Sequence, residues 1–117
     1  MSEQKSYSGV VIRGESTGTR LGFPTANIAL EDTSVSGTYA GTVVVDDLLY
    51  EAGIYANQRR HILETHILDF SGDLYGKIIT VTLHEKIRDD QEFTNEKALS
   101  KTITNDIKQV REYFDKS

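Results

Sequence analysis

Apolar and polar positions keep one period along most of the chain and change it once, near the C-terminus. Tyr7 to Arg13 is rich in Val and Ile and predicts a first strand. Thr38 to Val45 is dominated by Thr, Tyr and Val and predicts another. Asp46-Asp47 suits a tight turn, after which Leu48 to Tyr55 returns as a hairpin partner. His61 to Phe70 reads as a strand, Ser71-Gly72-Asp73 as a turn, and Lys77 to Ile87 as a strand paired with the one before it. Beyond it Leu99, Ile103, Ile107, Val110 and Phe114 recur at steps of four, four, three and four, the stripe of an amphipathic helix. Thr94 is the expected N-cap, Glu96 suits the first turn, and the stripe is read as core. Short antiparallel strands followed by one helix predict a small barrel or sandwich with the helix closing one side.

Length and composition narrow the setting. The 117 residues are expected to form a single domain over 1–117, with no repeat, linker or low-complexity tract. No apolar run approaches the roughly 20 residues of a membrane span. Met1 to Ser6 is polar and lacks the apolar stretch of a secretory signal, so a cytoplasmic protein with no membrane partner is expected. The absence of cysteine excludes a disulfide framework, a thiolate nucleophile and a cysteine-based metal site. Thirteen basic against eighteen acidic residues give a net charge of -5, which argues against a nucleic-acid partner. Such a chain can still bind a phosphate locally, through backbone amides and a metal ion.

The common phosphate-loop, dinucleotide and nucleophile-elbow motifs are absent; Gly76-Lys77 is followed by Ile78. His61, His66 and His84 lack the spacing of a zinc helix. The unusual stretch is Gly14 to Asn27. Glycines 14, 18 and 22 allow backbone amides to approach a ligand, and Arg20 adds a charge suited to phosphate. Pro24, the only proline, biases Phe23 toward extended structure. If the chain runs extended through Thr25-Ala26-Asn27, the Thr25 hydroxyl and the Asn27 amide converge on one side, a donor pair suited to Mg²⁺. A plain Gly-rich loop followed by an edge strand remains open.

A second candidate lies in the strand from His61. Ile62, Glu64, His66, Leu68 and Phe70 would share a face that is apolar but for Glu64 and His66. A carboxylate there needs a partner or a purpose, and one whose pKa is raised by such surroundings suits general-base work. A Glu at a barrel mouth, or one paired with Arg, is equally open, as is a core role for His66. Arg88 to Phe93 fits a charged surface loop with Phe93 as a hydrophobic staple. Tyr75 could wall a planar base or merely pack in a turn.

Taken together, these words resemble the riboflavin kinase (flavokinase) family of bacteria and eukaryotes, as a stand-alone domain from Ser8 to Phe114. The matching words, in order, are Arg20-Leu21-Gly22-Phe23-Pro24-Thr25-Ala26-Asn27, Gly37-Thr38-Tyr39-Ala40, Glu64-Thr65-His66-Ile67-Leu68-Asp69-Phe70, Asp73-Leu74-Tyr75-Gly76-Lys77, Ile87-Arg88 with Phe93, and Ile103-Thr104-Asn105-Asp106-Ile107. The resemblance implies a mainly β fold, a six-stranded antiparallel Greek-key barrel with a C-terminal amphipathic helix. It implies a monomer that transfers the γ-phosphate of ATP to the 5′-hydroxyl of riboflavin, giving FMN and ADP. By similarity Thr25 and Asn27 would hold Mg²⁺ and Glu64 would be the general base. Gly14, Gly18, Arg20, Gly22, Thr25, Ile67 and Tyr75 would lie against the nucleotide, and Arg88 and Phe93 against the flavin. The chain departs from the family between Gly53 and Glu64, which is short and lacks the usual proline-containing flap. Thr38 stands where an aliphatic residue is usual and Asp90 where Glu is usual. Nothing in the chain corresponds to the adenylyltransferase domain of many bacterial relatives, so FMN is the expected end product. The alternatives are a non-catalytic flavin- or nucleotide-binding barrel and a kinase with another nucleotide donor.

Overall fold

The computed structural model describes residues 4–13, 19 and 21–116; Gly14, Gly18 and Arg20 of the expected phosphate loop lie outside them. The chain forms β1 (Lys5–Val10), β2 (Ala26–Ala29), β3 (Gly37–Val45), β4 (Leu48–Asn57), β5 (Ile62–Ile67), β6 (Ile78–Arg88) and a helix, α1 (Glu96–Asp115). The strands make one antiparallel sheet in the order β1-β6-β3-β4-β5-β2. β3, β4 and β5 are successive hairpins, and β6 returns beside β3, which is Greek-key topology. The two edges nearly close a barrel: Ile12 N–H donates to the Asn27 carbonyl at 2.9 Å in an isolated antiparallel bridge.

Alternation decides which side chains fill the barrel. Ile28, Val43, Ile54, Leu63, Ile79 and Val81 are fully buried and form one cluster inside it. The β3–β4 turn puts Asp46 and Asp47 at φ of 50° and 67°, the pair of positive values of a type I′ hairpin, which Asp tolerates. Gly41 lets β3 approach β6 closely: a Cβ there would run into the Thr82 carbonyl oxygen and the Ile54 side chain.

β6 does not pair with β5, as its position in the sequence suggested; it lies between β1 and β3. The free edge of β5 is taken instead by β2, a four-residue strand too short to show a period of its own. The strand expected over 61–70 ends at Ile67. Asp69 turns at φ 56°, and Phe70 packs edge-on against Tyr50, so Phe70 leaves the face of Glu64. Along β3 and β6 the register slips between Thr38 and Tyr39 and again between Ala40 and Gly41. Each slip adds one residue on the β6 side. Together they place Arg88, and not Lys86, opposite Thr38.

α1 lies on the outer surface of the barrel. Val110 packs there with Ala40 and Leu68, flanked by Ile87, Ile107, Tyr113 and Phe114. His84 meets the rings of Tyr113 and Phe114 edge-on, and burial lowers its pKa. The N-cap is Asn95, not Thr94: Asn95 has extended dihedrals and its side chain accepts from Ala98 N–H at 2.8 Å. Thr94 is one residue too early to reach those amides. Among the described residues no helix is long and apolar enough to cross a membrane.

Gly41→Ala is expected to destabilise the fold by about 2 kcal/mol or more, because rigid backbone must move. Gly53→Ala, whose Cβ would sit 3.6 Å from Val110 Cγ2, is expected to be close to neutral. Asn95→Ala should cost about 1 kcal/mol, and Thr94→Ala much less. Denaturant midpoints of the four variants check both pairs.

Candidate active site

The site is built on the outside of the barrel, on the face that alternation leaves free of the core. Pairing places Arg88 opposite Thr38, Thr38 opposite Tyr55, Tyr55 opposite Glu64, and Glu64 opposite Asn27. These five residues form a single cross-strand row through β6, β3, β4, β5 and β2. Directly opposed side chains in such a row stand about 5 Å apart. Residues separated by as many as 61 positions in sequence are thus fixed in one line.

Arg88, Thr38, Tyr55 and Glu64 of this row form the floor of a cleft of about 620 Å³ between barrel and helix. Gly53, Tyr55, Asn57, Glu64 and His66 line the sheet side, and Leu99, Ile103 and Ile107 the helix side, with Arg88 to Phe93 along one rim. The upper half of the helical stripe is therefore cleft wall and only half-buried, a correction to its reading as core. Glu64 is buried, and its Oε2 accepts from Asn57 Nδ2 at 2.9 Å. Asn57 Oδ1 in turn accepts from Arg60 N–H at 3.2 Å, so the turn after β4 orients the amide. His66 Nδ1 lies 2.8 Å from the Pro24 carbonyl. A carbonyl only accepts, so the proton is on Nδ1 and the ring tethers the segment leading into Thr25.

Across the rim the Tyr55 hydroxyl donates to Asp90 Oδ1 at 2.7 Å and accepts from Arg59 Nη2 at 2.7 Å. Burial and the Asp90 carboxylate push the Tyr55 phenol up to about 12. Arg59 also reaches Asp90 and Glu92, each at 3.5 Å. Arg88 Nε donates to both oxygens of Asp106, at 2.9 and 3.1 Å, and its guanidinium lies 5.8 Å from the Phe93 ring centre.

A second cleft, of about 610 Å³, opens at the barrel end bounded by β2 and β5. Ile12, Arg13, Thr19, Ala26, Ile67 and Tyr75 line it. Tyr75 is half-exposed, and the Arg13 guanidinium stacks 4.1 Å from its ring centre. The Tyr75 turn is held by its own N–H, which donates to Asp73 Oδ1 at 2.9 Å. Gly22, at φ 94°, donates its N–H to the Thr19 carbonyl at 3.1 Å. Thr25 lines both clefts.

The Thr25 hydroxyl donates to Asn27 Oδ1 at 2.9 Å, so extended backbone through residues 25–27 does bring the two oxygens together. Among the described residues no cluster of three or more His, Asp or Glu side chains could hold a metal. The donor set at this point is two neutral oxygens beside one carboxylate, Glu64. Hard neutral oxygens of this kind suit Mg²⁺, so Thr25 and Asn27 would be the residues to hold it.

The structure brings together Thr25, Asn27 and Glu64 at one cleft junction, Ile67 and Tyr75 in the smaller cleft, and Arg88 and Phe93 on the rim of the larger. Gly22 lies beside Thr19 rather than on either lining. Sequence reasoning missed Asn57, Tyr55, Arg59 and the partner role of Asp106. Asn57 acts on Glu64 seven residues on, through a hairpin whose register no local pattern reveals.

The family described as Flavokinase, riboflavin kinase, matches residues 1–114. The bifunctional riboflavin kinase/FMN adenylyltransferase of Mycoplasma pneumoniae is 40% identical over 114 residues, covering 93% of this chain and 42% of that protein. The chain thus spans less than half the length of that relative. The crystal structure of a macrolide-efflux protein from Streptococcus pneumoniae superposes with a TM-score of 0.77 at 27% identity, over 91% of this chain and 38% of that one. Riboflavin kinase from Trypanosoma brucei superposes with a TM-score of 0.70 at 24% identity, over 99% of this chain and 84% of that one, and shares the fold. With its barrel, its helix and nearly its whole length matched, the chain belongs to the riboflavin kinase family.

Proposed function

We propose that the protein transfers the γ-phosphate of ATP to the 5′-hydroxyl of riboflavin, giving FMN and ADP. The observation that carries this reading is the junction at Thr25, where two clefts of similar size meet beside Glu64 and Asn27. Phosphoryl transfer asks a protein mainly to align two substrates and neutralise charge at the point between them. A junction of two clefts is the shape that task requires.

In this reading the smaller cleft takes the nucleotide, with Ile67 and Tyr75 against its base. The larger cleft takes the flavin, with Arg88 and Phe93 at its rim and the helix as its wall. Thr25 and Asn27 would hold Mg²⁺, whose charge would offset that of the phosphates. Glu64 accepts the proton of the attacking hydroxyl. Asn57 holds Oε2, which leaves Oε1 as the oxygen to accept that proton. Tyr55, Arg59 and Asp90 tie the sheet side of the cleft to its rim and so help to fix its shape. The net charge of -5 does not oppose this, because the donors at the junction are neutral and the arginines lie at its margins.

Riboflavin incubated with the protein, ATP and Mg²⁺ should give FMN, read by chromatography with fluorescence detection. Flavin quenching without FMN would favour a binding barrel, and FMN from another nucleotide alone would reassign the donor. Glu64→Gln should bind both substrates yet lower kcat about 10²-fold or more, and an unchanged rate would remove Glu64 from the mechanism. Thr25→Val and Asn27→Ala should each raise the Mg²⁺ concentration for half-maximal rate by at least the roughly tenfold that outer-shell partners cost. Metal titrations at saturating ATP check this.

A further inference from the structure

α1 buries two of its side chains, Val110 and Asp106, and the second is a carboxylate. Burial pushes the Asp106 carboxyl above its ordinary pKa, against the pull of Arg88. An acid in such a place is costly without a partner, and replacing a buried ion pair by apolar side chains is often neutral or stabilising. Helix docking does not require this one. Val110, Ile107, Tyr113 and Phe114 already pack α1 on the barrel, and Arg111 forks onto both oxygens of Asp69 at 3.1 Å each. The charge is placed instead where α1 becomes the wall of the larger cleft, a lining to which both Asp106 and Arg88 contribute.

The geometry of the pair is specific. Both Asp106 oxygens accept from Nε of Arg88, and the two-nitrogen end of the guanidinium, the usual fork for a carboxylate, is not used. Nη1 donates to the Asp89 carbonyl at 3.2 Å, and Nη2 has no partner among the described residues. Phe93 lies against the same guanidinium. We propose that Asp106 is the positioning residue of the larger cleft: by gripping Arg88 at Nε it presents the Nη edge to the hydrogen-bond acceptors of a flat heteroaromatic ligand beside Phe93. The inference rests on the larger cleft being the flavin site. Asp106 does not touch the ligand; it acts through Arg88.

The test is a riboflavin titration read by fluorescence quenching, together with KM values for both substrates, in wild type, Asp106→Asn, Arg88→Gln and the double variant. Asn keeps the shape of Asp and can still accept one hydrogen bond, so Asp106→Asn should fold, with thermal unfolding as the check. The charged hydrogen bond it loses corresponds to about a tenfold weaker riboflavin affinity. The KM for ATP should stay within about twofold of wild type on the same scale. Because Asp106 acts through Arg88, the double variant should bind riboflavin no more weakly than Arg88→Gln alone. Three results would overturn the assignment: unchanged riboflavin affinity in folded Asp106→Asn, equal losses for both substrates, or additive losses in the double variant. Wild-type protein that fails to quench riboflavin would overturn the flavin reading itself and this assignment with it.

Discussion

The site depends on strand register more than on any single contact. One row of opposed residues, Arg88, Thr38, Tyr55, Glu64 and Asn27, crosses five strands. Side chains alternate with a period of two, so a slip of one residue in any pair would carry a member of the row into the barrel interior. The apolar core prevents that slip, because the same slip would push Ile54, Leu63 or Val81 outward. The barrel core and the site are two faces of one constraint.

The bulges on β6 illustrate how fine that constraint is. Without them Lys86 would face Thr38, and the rim would carry a compact ammonium in place of a planar guanidinium. With them Arg88 reaches Asp106 on the helix and Phe93 in the next loop. The helix is thereby both a lid on the barrel, through Val110 and its neighbours, and a wall of the cleft, through Leu99 and Ile103. Closure of the barrel has a similar double use: the Asn27 backbone makes the closing bridge to Ile12, and its side chain meets Thr25 at the cleft junction.

Among the described residues the junction combines two neutral oxygens, from Thr25 and Asn27, with the Glu64 carboxylate. Glu64 is oriented there by the Asn57 amide, which donates to its Oε2. Tyr55 and Asp90 form a short bond across the rim, so the cleft is shaped on both sides before any ligand arrives.

Local chemistry made much of this legible in the sequence. β-Branched runs mark β3 and β6, the Asp46-Asp47 pair marks a tight hairpin, and the stripe from Leu99 to Phe114 marks the helix, because each is written within a few residues of itself. The Thr25 and Asn27 pair follows from extended backbone alone, and Glu64 stood out as a carboxylate in an apolar strand. Only the tertiary structure decided which strand β6 would join, that β2 would take the edge of β5, and that Asn57 would be the partner of Glu64. It alone separated the two uses of the helical stripe and joined Asp106 to Arg88. Those outcomes depend on register, bulges and barrel closure, where the energy of a contact is shared between residues far apart in the chain and leaves no local pattern to read.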